Sequence, residues 1–526
     1  MNTAWLNRNA VPSSAKYDML PVTEDQEITR GAASLSRCSD VDSSASPEVE
    51  FKDSPTSRPW LDFQLPTWGS SFTSSGTPSE EPVRSSRRLH STSWLDGLRG
   101  VASLLVVFHH TFWLWYPKLS EGWGSNPDNY WLIQLPFIRI FYAAGSSMVA
   151  IFFVVSGFSL SYKPLSLIRT GRSPELLGSL SSSVFRRQLR LVLPPAAITF
   201  VSMLVTHAGW YGTGEASRQP IRLDSLAANV FLWMQSVVEL ADPFRAIIHP
   251  GDYEPTYDIN LWTIPVEIHG SMVIFITLLG ISKLHASVRL AVLVSIVVFL
   301  FANGYTHLFL FLSGVLLAEL HYIREERTSG VQIPASQQRD TADLARAPTP
   351  QLKHEQQCSK GMKLFWNLNF LLAIFVCCMP SRIHGSGTSP GYITLFSLVP
   401  ASHLKPYIED EFWIFLAASH LVFTIDNAKF LQFMFTNRFS QYLGEISFAL
   451  YIIQGTFLYS LGWNLSARAL DWTGRDPGFQ YASGIFLTCL VMYPLLFWTA
   501  DIVARHVDAR SVRSARWLWL KTTIAT

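Results

Sequence analysis

From Trp94 onward the chain alternates long apolar runs with short polar stretches, whereas residues 1–90 carry no such rhythm. A helix of about 20 apolar residues spans the roughly 30 Å hydrocarbon layer of a membrane. The runs at 98–116, 146–162, 190–207, 262–282, 287–303, 304–322, 363–380, 411–426, 443–462 and 483–504 reach or approach that length. They predict an all-α integral membrane protein with about ten transmembrane helices. The apolar stretch 226–240 sits in a long connection and reads as interfacial or re-entrant. Residues 1–90 are rich in Ser, Thr and Pro and read as a disordered tail, because such a segment cannot bury enough apolar area to offset its ordering entropy. They lack the basic start, apolar core and small-residue cleavage site of a secretory signal. Residues 91–520 then form one membrane domain, interrupted by a polar linker at 323–362.

The basic residues orient this arrangement. Lys and Arg concentrate on cytosolic loops. Threading ten spans in order puts on one side the groups before the first span (Arg84, Arg87, Arg88), between the second and third (Lys163, Arg169, Arg172, Arg186, Arg187), in the linker 323–362, and after the last span (Arg505, Arg510, Arg513, Arg516, Lys521). The alternate loops are poorer in Lys and Arg, so both termini are predicted cytosolic. The sequon Asn464-Leu465-Ser466 falls on the opposite side, close against a span.

Composition narrows the class. Hydrophobic residues make up 48% of the chain and charged residues 15%, below the roughly 25% of an ordinary globular surface. A net charge of +2 offers no basic field, so no nucleic acid is expected as a partner. Five cysteines without metal-ligand spacing make neither a disulfide framework nor a zinc site, and no metal is expected. Cys377 and Cys378 lie in an apolar run, where a thiol stays protonated and inert.

An ionisable side chain inside the hydrocarbon costs about 2.5–3.5 kcal/mol on insertion scales and therefore marks a site. Arg99 and His110 are eleven residues apart in the first run, about 16 Å along a helix and close to three turns, which puts them on one face. A fixed cation at the membrane edge with an imidazole deeper in suits a phosphate-bearing donor and proton transfer. Equally, Arg99 serves as a flanking charge and His110 bonds a neighbouring helix. Glu267 stands near the start of the fourth run, at the level expected for His110. It reads either as the carboxylate that orients the imidazole or as part of a structural ion pair. Arg187 and Arg190, at i and i+3, share a helix face ahead of the third run and suit phosphate or simply flank the span. No Gly-rich phosphate loop and no Gly-x-Ser-x-Gly elbow appears in a plausible setting.

Taken in order, the motifs resemble those of the acyltransferase 3 family of integral-membrane acyltransferases, in its fungal form. The resemblance covers roughly residues 92–520. It is carried by Arg99 and His110 with ten residues between them, by the Phe152-to-Leu160 segment FFVVSGFSL, and by the Arg187-Gln188-Leu189-Arg190 pair of arginines. It continues in Leu261-to-Glu267 (LWTIPVE), Phe311-Leu312-Ser313-Gly314 and Tyr442-to-Tyr451 (YLGEISFALY). One departure is visible: Gln454 stands where many members carry a His. A glutamine cannot take up a proton at neutral pH.

The resemblance implies a membrane-bound O-acyltransferase with no resident cofactor. It would use acetyl-CoA as co-substrate and a hydroxyl of a small lipophilic acceptor, such as a fungal secondary metabolite. Arg99, Arg187 and Arg190 would bind the donor, His110 would act as general base, and Glu267 would fix the imidazole. The partners implied are acyl-CoA, a hydroxyl-bearing small molecule and membrane lipids, and the location is the endoplasmic reticulum or another internal membrane. Three other readings remain: acylation of a cell-surface carbohydrate or lipid, a proton-coupled transporter, and an inactive membrane scaffold. Against the transporter, no two-fold internal repeat is visible.

Overall fold

The structure is a computed structural model and describes residues 90–212, 220–245, 253–329, 359–381, 384–400, 403 and 412–523. The expected N-terminal tail, apart from its last residue, and most of the expected linker lie outside the described residues. Those described contain helices and no strand. Helix α1 (Ser93–Trp115) leads through short 3₁₀ turns to α2 (Gly145–Arg169), α3 (Ser173–His207) and α4 (Leu226–Ala241). A 3₁₀ turn at Ile259–Trp262 opens α5 (Thr263–Ile281), followed by α6 (Ala286–Ala302) and α7 (Thr306–Ser329). Then come α8 (Lys360–Cys377), α9 (Phe412–Asn427) and α10 (Arg438–Phe457). A π turn at Leu458–Gly462 carries α10 into α11 (Trp463–Thr473), and another at Ala504–Asp508 carries α12 (Phe479–Val503) into α13 (Ala509–Thr522).

Seven helices among the described residues are long and apolar enough to cross a membrane, or eight if α9 and the bent segment behind it, turned by 100°, form one span. Two of the ten expected spans fall short of that standard. Helix α6 has 17 residues, and α1 carries Asp96, Arg99, His109 and His110 among its 23. The interfacial stretch at 226–240 is the 16-residue helix α4, held against α3 by the Trp233 indole N–H, which donates to Thr199 Oγ1 at 3.2 Å.

Helix α3 starts at Ser173, well ahead of the apolar run at 190. Its first half is too polar for a hydropathy scan to register, yet Leu176 and Leu180 keep the i, i+4 spacing and are buried. Arg187 and Arg190 are therefore inside a continuous helix rather than in a loop before one. The expected linker is helical at both ends, since α7 runs on to Ser329 and α8 starts at Lys360.

Small residues set the tightest contacts, as expected where lipid supplies no hydrophobic drive between helices. A Cβ on Gly100 would overlap the backbone at Leu443 and Gly444, so α1 and α10 touch main chain to main chain. Gly157 and Gly314 do the same for α2 and α7. Several buried charges are paired. Glu319, fully buried on α7, accepts from Arg169 Nη1 at 2.5 Å and Arg289 Nη2 at 2.7 Å. Asp426 on α9 takes His321 at 2.7 Å and Arg324 at 2.8 Å. These clusters tie α2, α6, α7 and α9 together and leave the space between α1, α3, α5 and α10 for the site.

Candidate active site

Arg99 directly precedes the close contact at Gly100, and its side chain is held against α10. Its Nε donates to Ser447 Oγ at 3.1 Å, and Nη2 reaches the Gly444 carbonyl at 3.4 Å and Asp96 at 3.3 Å. Across the gap, Arg187 Nη2 meets Glu267 Oε2 at 2.7 Å and its Nε donates to Ser271 Oγ at 3.0 Å. The other carboxylate oxygen, Oε1, accepts from Ser156 of α2 at 2.8 Å. Both oxygens of Glu267 thus have strong partners, and the pair is largely buried, with side chains 16% and 15% exposed.

Arg99, Arg187, Arg190 and Glu267 all line one cavity of about 360 Å³. Along α10 the lining runs from Gln441 to Tyr451, a depth of about 15 Å at 1.5 Å per residue. The mouth carries mixed charge: exposed Arg190 stands with Asp96, Glu445 and Asp508. Further in, Phe152, Phe153 and Phe448 make the wall apolar. The α10 lining ends at Tyr451, whose hydroxyl lies 2.8 Å from Thr263 Oγ1 and also bonds the Asn260 carbonyl.

The structure therefore brings four of the five expected residues together and leaves His110 outside the lining of that cavity. The register of α1 on α10 gives its depth. Gly100 packs on Gly444, and Ser103 Oγ donates to the Ser447 carbonyl at 3.1 Å, both at a spacing of 344 residues. Parallel helices keep that spacing, so His110 lies level with Gln454, about one turn beyond Tyr451.

Glu267 is not at that level. The 3₁₀ turn begins α5 near Tyr451, and from Thr263 the helix returns toward the arginines, so the Glu267 backbone stands about 10 Å from the His110 level along the bundle. The sequence expectation of a shared depth fails for this reason, and Glu267 is held by Arg187 and Ser156 instead.

Two features had no signal in the sequence, and a third was visible there only as a departure from the family pattern. Ser156 and Ser271 clamp the Arg187–Glu267 pair, but serines are ordinary in membrane helices. Asp258 is buried, with its carboxylate packed over the Cα of Gly455 and its Oδ2 without a hydrogen-bond partner among the described residues. It lies just ahead of a span, where a carboxylate reads as exposed. Burial pushes its carboxyl up to about 7, against the Asn260 amide, which donates to Oδ1 at 3.0 Å. Third, Gln454 is completely buried, and neither end of its amide has a hydrogen-bond partner among the described residues.

A family described as an acyltransferase domain, of the acyltransferase 3 type, matches residues 92–497. The chain belongs to the acyltransferase 3 family. It is similar to the O-acetyltransferase PaAT-1 of Phomopsis amygdali, with 35% identity over 83% of this chain and 86% of that one. It is 23% identical to the acyltransferase clz18 of Cochliobolus lunatus, over 82% of this chain and 95% of the relative. The acyltransferase R4 of a Phoma strain is also 23% identical, over 80% and 93% respectively. No solved structure matches. The chain is thus an O-acyltransferase, which displaces the transporter reading, and its apolar helices and family mark it as an integral membrane protein.

Proposed function

We propose that this acyltransferase moves an acetyl group from acetyl-CoA to a hydroxyl of a small lipophilic acceptor, such as a fungal secondary metabolite, in the endoplasmic reticulum or another internal membrane. The observation that carries the reading is the convergence of Arg99, Arg187 and Arg190 on one cavity, with His110 on the same helix as Arg99 and deeper along it. The name of PaAT-1, an O-acetyltransferase, supports acetyl as the group transferred.

Acetyl-CoA enters as a substrate. Guanidinium groups take its phosphates through charge-assisted, often bidentate hydrogen bonds. Arg190 and Arg99 are within easiest reach. Arg190 is exposed, and the Arg99–Asp96 contact at 3.3 Å joins groups 37% and 60% exposed, which makes it worth about 0–1 kcal/mol. Arg187 adds its field while remaining paired with Glu267. The pantetheine arm follows the apolar wall of Phe152, Phe153 and Phe448 inward, bringing the thioester toward the level of His110. There the alcohol oxygen attacks the thioester carbonyl as His110 removes the hydroxyl proton. The C–S bond breaks, the new ester C–O bond forms, and the proton passes from the imidazole to the departing thiolate. A largely apolar inner wall suits an acceptor arriving from the lipid more than a bulky carbohydrate.

The test is free-thiol release from acetyl-CoA by detergent-purified protein, with cyclohexanol and cyclohexane-1,2-diol as probe alcohols. Wild type releases thiol and forms the acetate ester. The His110→Ala protein, equally well folded, does not. A wild type that neither binds acetyl-CoA nor releases thiol overturns the reading.

A further inference from the structure

Gln454 is fully buried, and both its Oε1 and Nε2 lack a hydrogen-bond partner among the described residues. A buried polar atom left unsatisfied carries its full desolvation penalty, so two on one side chain call for a ligand that satisfies them. Nearby apolar residues offer nothing. Leu450 and Ile453 on the same stretch of α10 join Val107 of α1 and Ile264 of α5 in one hydrophobic cluster.

The register of α1 and α10 places this amide. Ser103 and Ser447 are in contact, with Ser103 Oγ donating to the Ser447 carbonyl at 3.1 Å. Seven residues further along each helix is nearly two turns, which returns each chain to the same face. His110 and Gln454 are those positions, so the register sets them level along the α1–α10 seam. The lining of the arginine cavity reaches Tyr451, one turn short of them. The neighbouring residue, Gly455, is covered by the buried Asp258 carboxylate. The amide therefore stands at the level of the proposed base, about one turn beyond the cavity lining at Tyr451.

We propose that Gln454 is the acceptor-recognition group of this enzyme and selects an alcohol that carries a second oxygen on the adjacent carbon, such as a vicinal diol. This rests on the acetyl-transfer reading above. A primary amide presents one donor and one acceptor in a plane. The reacting hydroxyl accepts a hydrogen bond from Nε2 and directs its proton at the imidazole, while the neighbouring hydroxyl donates to Oε1. The reaction is unchanged in its balance. The selected oxygen bonds to the acetyl carbon, the thioester C–S bond breaks, and the hydroxyl proton travels by way of His110 to the thiolate. An alcohol without the second oxygen leaves Oε1 unpaired, and a site built on hydrogen bonds discriminates strongly against such an analogue.

The experiment compares trans-cyclohexane-1,2-diol with cyclohexanol as acceptors for the full chain in detergent, reading ester by mass and thiol by colour, alongside direct binding of acetyl-CoA. Wild type is expected to favour the diol at least about 10-fold in kcat/KM. Gln454→Met, which keeps length and removes the amide, is expected to bring that ratio to within roughly twofold while acetyl-CoA binding is unchanged. Its Tm is expected to be equal or higher, because two unsatisfied atoms are gone. Four results overturn the inference: no diol preference in wild type, a preference that survives in Gln454→Met, a large fall in Tm in that variant, or acetyl-CoA binding with neither alcohol acetylated. The wild-type ratio stands as a test even if the variant does not fold. Absence of acetyl-CoA binding and of thiol release would instead remove the acetyl-transfer reading itself.

Discussion

At the scale of single residues the site divides into groups that hold and groups that react. Arg187 and Glu267 hold each other, at 2.7 Å and mostly out of water. Removing one partner of such a pair strands the other, at a cost of about 3–5 kcal/mol. Glu267→Ala is therefore expected to lower the Tm in detergent by several degrees and to weaken acetyl-CoA binding, whereas His110→Ala leaves the Tm near wild type. Asp96 has the opposite character. On the proposed reading it competes with donor phosphate for Arg99 through an exposed contact, so Asp96→Asn is expected to lower the KM for acetyl-CoA by roughly two- to fivefold, the range of a surface pair, with kcat unchanged. A raised KM would show that Asp96 positions Arg99 instead. All five candidates stood out in the sequence because charge is costly among apolar runs. Which of them pair was not legible there. The sequence put Glu267 beside His110, because a linear count of spans does not reveal that α5 begins at the Tyr451 level and turns back toward the arginines. Asp258 was hidden because it sits just outside a span; Gln454 showed only as a departure from the family pattern, because the isolation of an uncharged side chain emerges only when its neighbours are placed.

At the scale of elements, the α1–α10 seam determines whether the site exists. Gly100 lies against the backbone of Leu443 and Gly444, and the contact fixes the register that brings Arg99 to Ser447 and sets His110 level with Gln454. Gly100→Leu is expected to abolish folding or transfer altogether, whereas Gly361→Ala, on the exposed first turn of α8 where an added Cβ meets nothing within 4 Å, is expected to be silent in both Tm and activity. Thermal stability in detergent with thiol release checks both. The apolar runs revealed most of these helices, but not their ends. Helix α3 extends to Ser173 because a polar helix can continue outside the hydrocarbon on the strength of buried Leu176 and Leu180. In the same way α12 continues through a π turn into α13, an amphipathic helix whose Trp519 ring packs on Phe185 at 5.5 Å. This continuation of the helix beyond the apolar run puts Asp508 at the mouth of the cavity.

At the scale of the whole molecule, family and helices agree on what the chain is. The acyltransferase match begins at residue 92, next to the first residue of α1, Ser93. A chain lacking residues 1–84 is expected to keep acyl transfer within about twofold of the full chain, measured per folded molecule; a loss beyond tenfold would place part of the machinery in that segment. The account as a whole depends on a division of labour along α1, with donor binding at Arg99 and proton transfer at His110. The most direct measurement is steady-state kinetics of thiol release at varied acetyl-CoA for Arg99→Ala and His110→Ala. Arg99→Ala is expected to raise the KM for acetyl-CoA with a modest change in kcat, and His110→Ala to lower kcat by about 100-fold or more with that KM nearly unchanged. A His110→Ala protein that turns over like wild type, or an Arg99→Ala protein whose KM for acetyl-CoA does not move, would contradict it.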